Sequence, residues 1–318
     1  MKTIYTPILF LILLTGLTLT GCSGYKYASM PALEFEDIDY GFDTQRTQSD
    51  VSLAYIDEGS GSQTVILIHG LASNAGFWRY VIPDLSKSYR VIAVDLPGFG
   101  KSDKGDFSYG ISFYADQILA LMNELKIDKA ILAGHSMGGQ ISMNFALQYP
   151  ERLNKLVLAS PAGIESFKPG EAKWLRNVFR IDDIVYSGEE IVRTNLNRNF
   201  YSWSDEYEWM VEERVRMAKG KEMKEFAHAV IQSVGAMLDE PTTNRLHEIT
   251  TQTLIIYGEH DGLIPNPFLH PGFTSKVFEK GAREIPDARL VELPKCGHLL
   301  QIEQPEQFVS ELKQFIGS

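Results

Sequence analysis

Six short apolar runs constrain this chain more than any other feature. Residues 65–68, 90–94, 130–133, 156–159, 253–257 and 290–293 are rich in Val, Ile and Leu and have almost no polar side chain within them. Strands apolar on both faces have no side to offer water, so they need covering layers above and below. Most of the intervening stretches are helix-like, and that alternation predicts a mostly parallel sheet flanked by helices. Polar or turn-forming residues close the runs: His69-Gly70, Asp95, Gly134, Ser160-Pro161 and Gly258. In open parallel sheets, ligands gather beyond the carboxyl ends of the strands, and these residues fall there.

One region breaks the alternation. Residues 165–250 carry no strong strand, only helix-like stretches such as 205–218 and 221–238, and they hold Trp174, Trp203 and Trp209. They read as a helical lid inserted after the strand 156–159. Residues 48–164 and 251–318 are then the core. Most of the lid aromatics are expected to fill its own small core, with at most a few facing substrate.

Gly134-His135-Ser136-Met137-Gly138 joins the third run to an amphipathic stretch at 140–149. This is G-x-S-x-G with a strand before it and a helix after it, where a serine on a strained turn stands clear of the backbone. The helix N-terminus directs N–H groups at the same point, which favours an oxyanion. A serine hydroxyl is a weak nucleophile and needs a base, itself oriented by a third group.

With the flanking motifs, the stretch from about Val51 to Ile316 resembles the α/β-hydrolase superfamily, in its esterase and lipase branch. The motifs are His69-Gly70-Leu71, Asp95-Leu96-Pro97-Gly98-Phe99-Gly100-Lys101-Ser102, the serine turn, Gly258-Glu259-His260-Asp261 and Cys296-Gly297-His298, all in the family's order. The resemblance implies an α/β-hydrolase fold and a triad of Ser136, Asp261 and His298. It also implies an oxyanion hole from the N–H groups of Leu71 and Met137. Glu259 is a weaker candidate for the acid. His69 and Asp95 read as loop organisers, His135 as pointing away from the serine hydroxyl, His228 and His247 as lid residues, and Cys296 as a small apolar filler.

A second resemblance lies at the start of the sequence. Lys2 precedes an apolar stretch of residues 8–19, and Leu19-Thr20-Gly21-Cys22 follows. About 12 residues is too short to span the roughly 30 Å of hydrocarbon in a bilayer, and fits the apolar core of a secretory signal. The Leu-x-Gly-Cys ending resembles a bacterial lipobox. That implies a signal peptide at 1–21, a lipid anchor on Cys22 and export, with Ser23 favouring the outer membrane. Residues 22–47 show little periodicity and read as a tether. The net charge of −11, without a Lys/Arg cluster, argues against nucleic acid as a partner.

An acyl-enzyme route through Ser136 implies no metal and no organic cofactor. Serine in place of an aspartate nucleophile weighs against dehalogenase or epoxide hydrolase chemistry. Hydrolysis of carboxylic esters, with acylglycerols or other acyl esters as substrates, is the expectation. The alternatives are a carbon–carbon bond hydrolase of ring-fission diketones, a perhydrolase-like enzyme, and a surface lipoprotein that only binds.

Overall fold

A computed structural model describes residues 26–317. The signal-like segment and Cys22 lie outside the described residues. In chain order, the strands are β1 (Gln45–Arg46), β2 (Ala54–Glu58), β3 (Thr64–Ile68), β4 (Arg90–Val94), β5 (Ala130–His135), β6 (Leu153–Ala159), β7 (Thr253–Gly258) and β8 (Ala288–Leu293). They form one sheet in the order β1-β2-β4-β3-β5-β6-β7-β8. From β4 through β8 every pairing is parallel, and β1 and β2 run antiparallel at one edge.

The six expected strands all form. Their apolar runs at 65–68, 91–94, 130–133 and 254–256 are fully buried, as strands covered on both faces must be. The helices are α1 (Ile82–Leu85), α2 (Ile111–Glu124), α3 (Met137–Gln148), α4 (Pro169–Val178), α5 (Ile181–Val185), α6 (Glu189–Asn197), α7 (Glu208–Met217), α8 (Met223–Asp239), α9 (Thr274–Glu284), α10 (Leu300–Glu303) and α11 (Pro305–Gly317). The fold is that of the α/β hydrolases. The sequence pattern misses β1 and β2 for a physical reason. β1 is two exposed polar residues, and β2 ends in Asp57 and Glu58, so neither has a continuous apolar run. Both owe their extended form to pairing with a strand already in the sheet.

Residues 165–250 contain only helices, α4 to α8 and two short 3-10 turns. They are not one uniform layer. Met223, Phe226, Ala227, Ala229 and Val230 of α8 belong to the main core together with Val185 of α5, whereas no buried side chain of α4 or α6 joins it. We call α4–α7 the cap.

The tether expectation does not survive beyond Lys26. Tyr27, Phe35, Ile38 and Tyr40 are all buried. Tyr27 packs with Val192, Val211 and Val215 of the cap, and its N–H donates to Glu189 Oε2 at 2.8 Å. Phe35 meets the Phe226 ring at 5.4 Å, and the Tyr40 hydroxyl donates to Asp95 at 2.7 Å. These side chains follow no helix or strand period because each fills a separate gap in a surface built by other elements. Periodicity therefore gave no sign of them.

Candidate active site

The turn at Ser136 is strained and held from several sides. Ser136 has φ 52° and ψ −117°, outside the regions an L-residue favours. Such a residue costs about 1–3 kcal/mol and persists only where its surroundings over-determine it. Here the Ser136 N–H donates to the Ala159 carbonyl at 3.0 Å, and its own carbonyl accepts from Gly139 at 2.9 Å and Ala162 at 2.9 Å. The two glycines of the motif permit the fit. A Cβ on Gly134 would lie 2.1 Å from the Gly138 carbonyl oxygen, and one on Gly138 would lie 2.3 Å from that of Ile68. The Met137 N–H opens α3, where the first-turn donors have no partner inside the helix.

Asp261 and His298 come from the ends of β7 and β8 and meet in a buried pair, with Asp261 Oδ2 2.7 Å from His298 Nδ1. The other carboxylate oxygen, Oδ1, accepts the N–H groups of Leu263 at 2.9 Å and Ile264 at 3.0 Å. An ionised carboxylate only accepts, so Nδ1 carries the proton and Nε2 is left as an acceptor. That is the tautomer a general base needs. Glu259 is exposed and accepts from the Lys295 N–H at 3.1 Å, away from this pair.

Two further histidines are buried structural parts. His69 Nε2 accepts from the Leu96 N–H at 3.1 Å, so Nδ1 is the donor to the Gly70 carbonyl at 2.7 Å. This fixes the loop that presents Leu71. From the cap, the Arg214 guanidinium donates to the carbonyl of the next residue, Ala72, which has φ 55°. His135 is tied to the loop of His298. Its Nε2–H donates to the His298 carbonyl at 2.9 Å, and the two rings lie 4.7 Å apart.

Burial pushes His69 down to about 4, outweighing its bond to Gly70. Burial, then the adjacent His298, drives His135 down as well. Both are neutral at working pH. An unfolded imidazole titrates near 6.5, so protons bind the unfolded chain preferentially below that pH. This stability is fully present above about pH 6.5 and is lost as pH falls towards 4. For His69 it amounts to about 3 kcal/mol. Melting temperature is expected to fall over that interval, and His69→Gln is expected to flatten the slope. An unchanged slope in the variant would contradict the assignment.

Asp95 is a loop organiser. Its carboxylate accepts from the N–H groups of Ala75 at 2.6 Å and Lys101 at 2.7 Å, besides Tyr40. Cys296 is buried, and desolvation pushes its thiol up, so it stays protonated and fills space. His228 lies on α8 against the Tyr109 ring at 5.9 Å, and His247 lies in the exposed turn after it. Trp203 packs on Phe200 and Tyr207, and Trp209 packs on Phe77 and under Arg79, so both build the cap. Trp174 is exposed on the surface.

Sequence patterns gave no hint of Glu303. Its carboxylate accepts the N–H groups of Gly297 at 2.7 Å, Ser202 at 2.8 Å and Tyr201 at 3.1 Å. It thereby ties the loop carrying His298 to the cap. The fit is close, since a Cβ on Gly297 would lie 2.5 Å from the Asn199 carbonyl oxygen. Glu303→Ala is expected to lower kcat about 10- to 100-fold with a smaller change in KM, as misplacing a reacting group does. Steady-state kinetics on a soluble ester tests this, and an unchanged kcat would remove Glu303 from the positioning network.

The family model described as alpha/beta hydrolase fold matches residues 63–305. The chain belongs to that family. It is a hydrolase. A 2-hydroxy-6-oxo-6-phenylhexa-2,4-dienoate hydrolase of Comamonas testosteroni is 31% identical over 274 residues, covering 83% of this chain and 91% of that one. The crystal structure of a probable hydrolytic enzyme from Pseudomonas aeruginosa superposes with a TM-score of 0.82 at 29% identity, covering 90% of this hydrolase and 98% of that chain. A thermophilic esterase from Thermogutta terrifontis gives 0.71 at 25% identity, covering 86% and 98%. The matched stretch of this hydrolase contains the serine turn, the Asp261–His298 pair and the cap.

Proposed function

We propose that this hydrolase cleaves carboxylic esters through an acyl-enzyme on Ser136. The observation that carries the reading is the Asp261–His298 pair, fixed in the base tautomer at the same sheet end as the strained Ser136. His298 Nε2 takes the hydroxyl proton as the serine oxygen attacks the ester carbonyl. The oxyanion rests on the N–H groups of Leu71 and Met137. Removing one such donor typically costs about 100- to 1000-fold. His298 then returns its proton to the departing alcohol, and water repeats the sequence to release the acid.

Cys22 serves in this proposal as the lipid anchor that holds the exported enzyme on a membrane, the outer one by the Ser23 criterion. An acyl lipid is then the fitting substrate class. The Cys22→Ser chain is expected to leave the membrane fraction with its ester turnover intact. A variant that stays membrane-bound would contradict the anchor.

A second reading, hydrolysis of a carbon–carbon bond in a ring-fission diketone, is favoured by the Comamonas relative, named as a 2-hydroxy-6-oxo-6-phenylhexa-2,4-dienoate hydrolase. The same residues serve either chemistry, since fold and triad do not fix the bond cleaved. Turnover of p-nitrophenyl esters across acyl lengths, beside a ring-fission dienoate, separates them. Ester turnover exceeding dienoate turnover in kcat/KM supports the first reading. The reverse order supports the second.

A further inference from the structure

Ten large apolar side chains are exposed among the described residues, and nine of them lie in two stretches. Seven fall between positions 174 and 201, including Trp174, Val178, Phe179, Ile181 and Ile191. Phe268 and Phe273 lie in the loop that follows Asp261, and Tyr80 is the exception. The helices α4, α5 and α6 bury one apolar side chain each, Leu175, Val185 and Val192, and leave larger ones outside. Scattered exposed apolar residues need no explanation, but a cluster of this kind marks an interaction surface. The two stretches are joined. Arg198 lies over the Phe268 ring, 5.9 Å from its centre. His270 bonds both Glu165 and Glu171, one turn from Trp174.

The course of the N-terminal segment says what covers this face. Tyr27 is fixed on the cap through Glu189, the first residue of α6, and through Val192 in the same helix. Between Cys22 and Tyr27 lie only Ser23, Gly24, Tyr25 and Lys26. Fully extended, that stretch reaches at most about 18 Å. A chain anchored at Cys22 therefore keeps the Tyr27 seat on the cap within about 18 Å of whatever Cys22 is inserted in. Residues 168–197 carry Lys168, Lys173, Arg176, Arg180 and Arg193 against Glu171, Asp182, Asp183, Glu189 and Glu190, so this face is balanced in charge within a chain of net charge −11. A charge-balanced face with exposed Trp and Phe carries no like-charge barrier to a bilayer interface, and Lys173 and Arg180 beside Trp174 and Phe179 suit its headgroup level.

We propose that the outer face of α4–α6, with the loop bearing Phe268 and Phe273, docks onto the phospholipid surface in which Cys22 is anchored. The apolar tips enter the acyl boundary, and the Lys and Arg side chains stay at the headgroups. The inference rests on the anchor proposed above, which the intact mass of the membrane-extracted chain tests separately.

The test uses the full chain reconstituted in vesicles of phosphatidylethanolamine and phosphatidylglycerol whose acyl chains carry bromine, a contact quencher of tryptophan. Trp174 is the exposed reporter. The expected result is a quenched component in the wild type that is lost in Trp174→Phe, and also lost when Phe179 and Ile181 are both replaced by Asp. Ser136→Ala is expected to keep the quenching, which separates this outcome from any failure of the esterase reading. Vesicle-bound protein whose Trp174 is not quenched overturns the proposal. So does a Trp174 shielded only in a dimer that Phe179→Asp dissociates, because the face would then belong to a second copy of the chain.

Discussion

Ser136→Ala is expected to lower ester turnover by about 10⁴- to 10⁶-fold while leaving the fold intact. That loss equals about 5–8 kcal/mol of transition-state stabilisation. The change removes one hydroxyl from a turn whose geometry rests on backbone contacts to Ala159, Gly139 and Ala162. None of those contacts uses the side chain. The unfolding free energy is therefore expected to move by no more than about 0.5 kcal/mol. The oxyanion donors proposed above are left in place, so a small turnover above the uncatalysed rate is expected to remain. Circular dichroism melts beside single-turnover kinetics read both quantities. Full activity in the variant would remove Ser136 from the chemistry, and loss of activity with loss of fold would give it a structural role.

Asp261→Asn is expected to cost about 10⁴-fold in kcat with little change in structure. The direction follows from the hydrogen bonds around the carboxylate. Oδ1 accepts two backbone N–H groups, from Leu263 and Ile264, so an amide at this position must place its oxygen there. The amide NH₂ then occupies the Oδ2 place and points a donor at His298 Nδ1. Nδ1 must accept, the ring proton moves to Nε2, and the base can no longer take a proton from Ser136. Asp261→Glu keeps the charge but displaces both bonds. It is expected to retain more activity than the Asn variant if tautomer control dominates, and less if the two loop bonds dominate. Kinetics of the pair, with a tautomer-sensitive nitrogen chemical shift on His298, decides between them.

The sheet was legible because its strands are buried on both faces, which forces uninterrupted apolar runs such as 65–68 and 130–133. The serine turn was legible because two backbone approaches of about 2 Å exclude any side chain at Gly134 and Gly138. Asp261 and His298 were placed by their order along the chain after the serine, and their bond is a tertiary fact. What stayed hidden has no local pattern. β1 and β2 take their form from the sheet edge, and Tyr27 and Tyr40 act as single plugs in surfaces made by distant elements. Glu303 and the His135 bond to the His298 carbonyl act on backbone groups, which any sequence supplies. The seat of Tyr27 on the cap likewise depends on Val192, Val211 and Val215, which lie far along the chain.

Turnover through an acyl-enzyme requires a nucleophilic serine at position 136 that becomes covalently acylated. Its most direct test is a fluorophosphonate reaction followed by intact-mass and peptide mass spectrometry. One adduct per chain is expected on the peptide containing Ser136, absent in Ser136→Ala and formed far more slowly in His298→Ala. An adduct on another residue, or none on soundly folded protein, would contradict it.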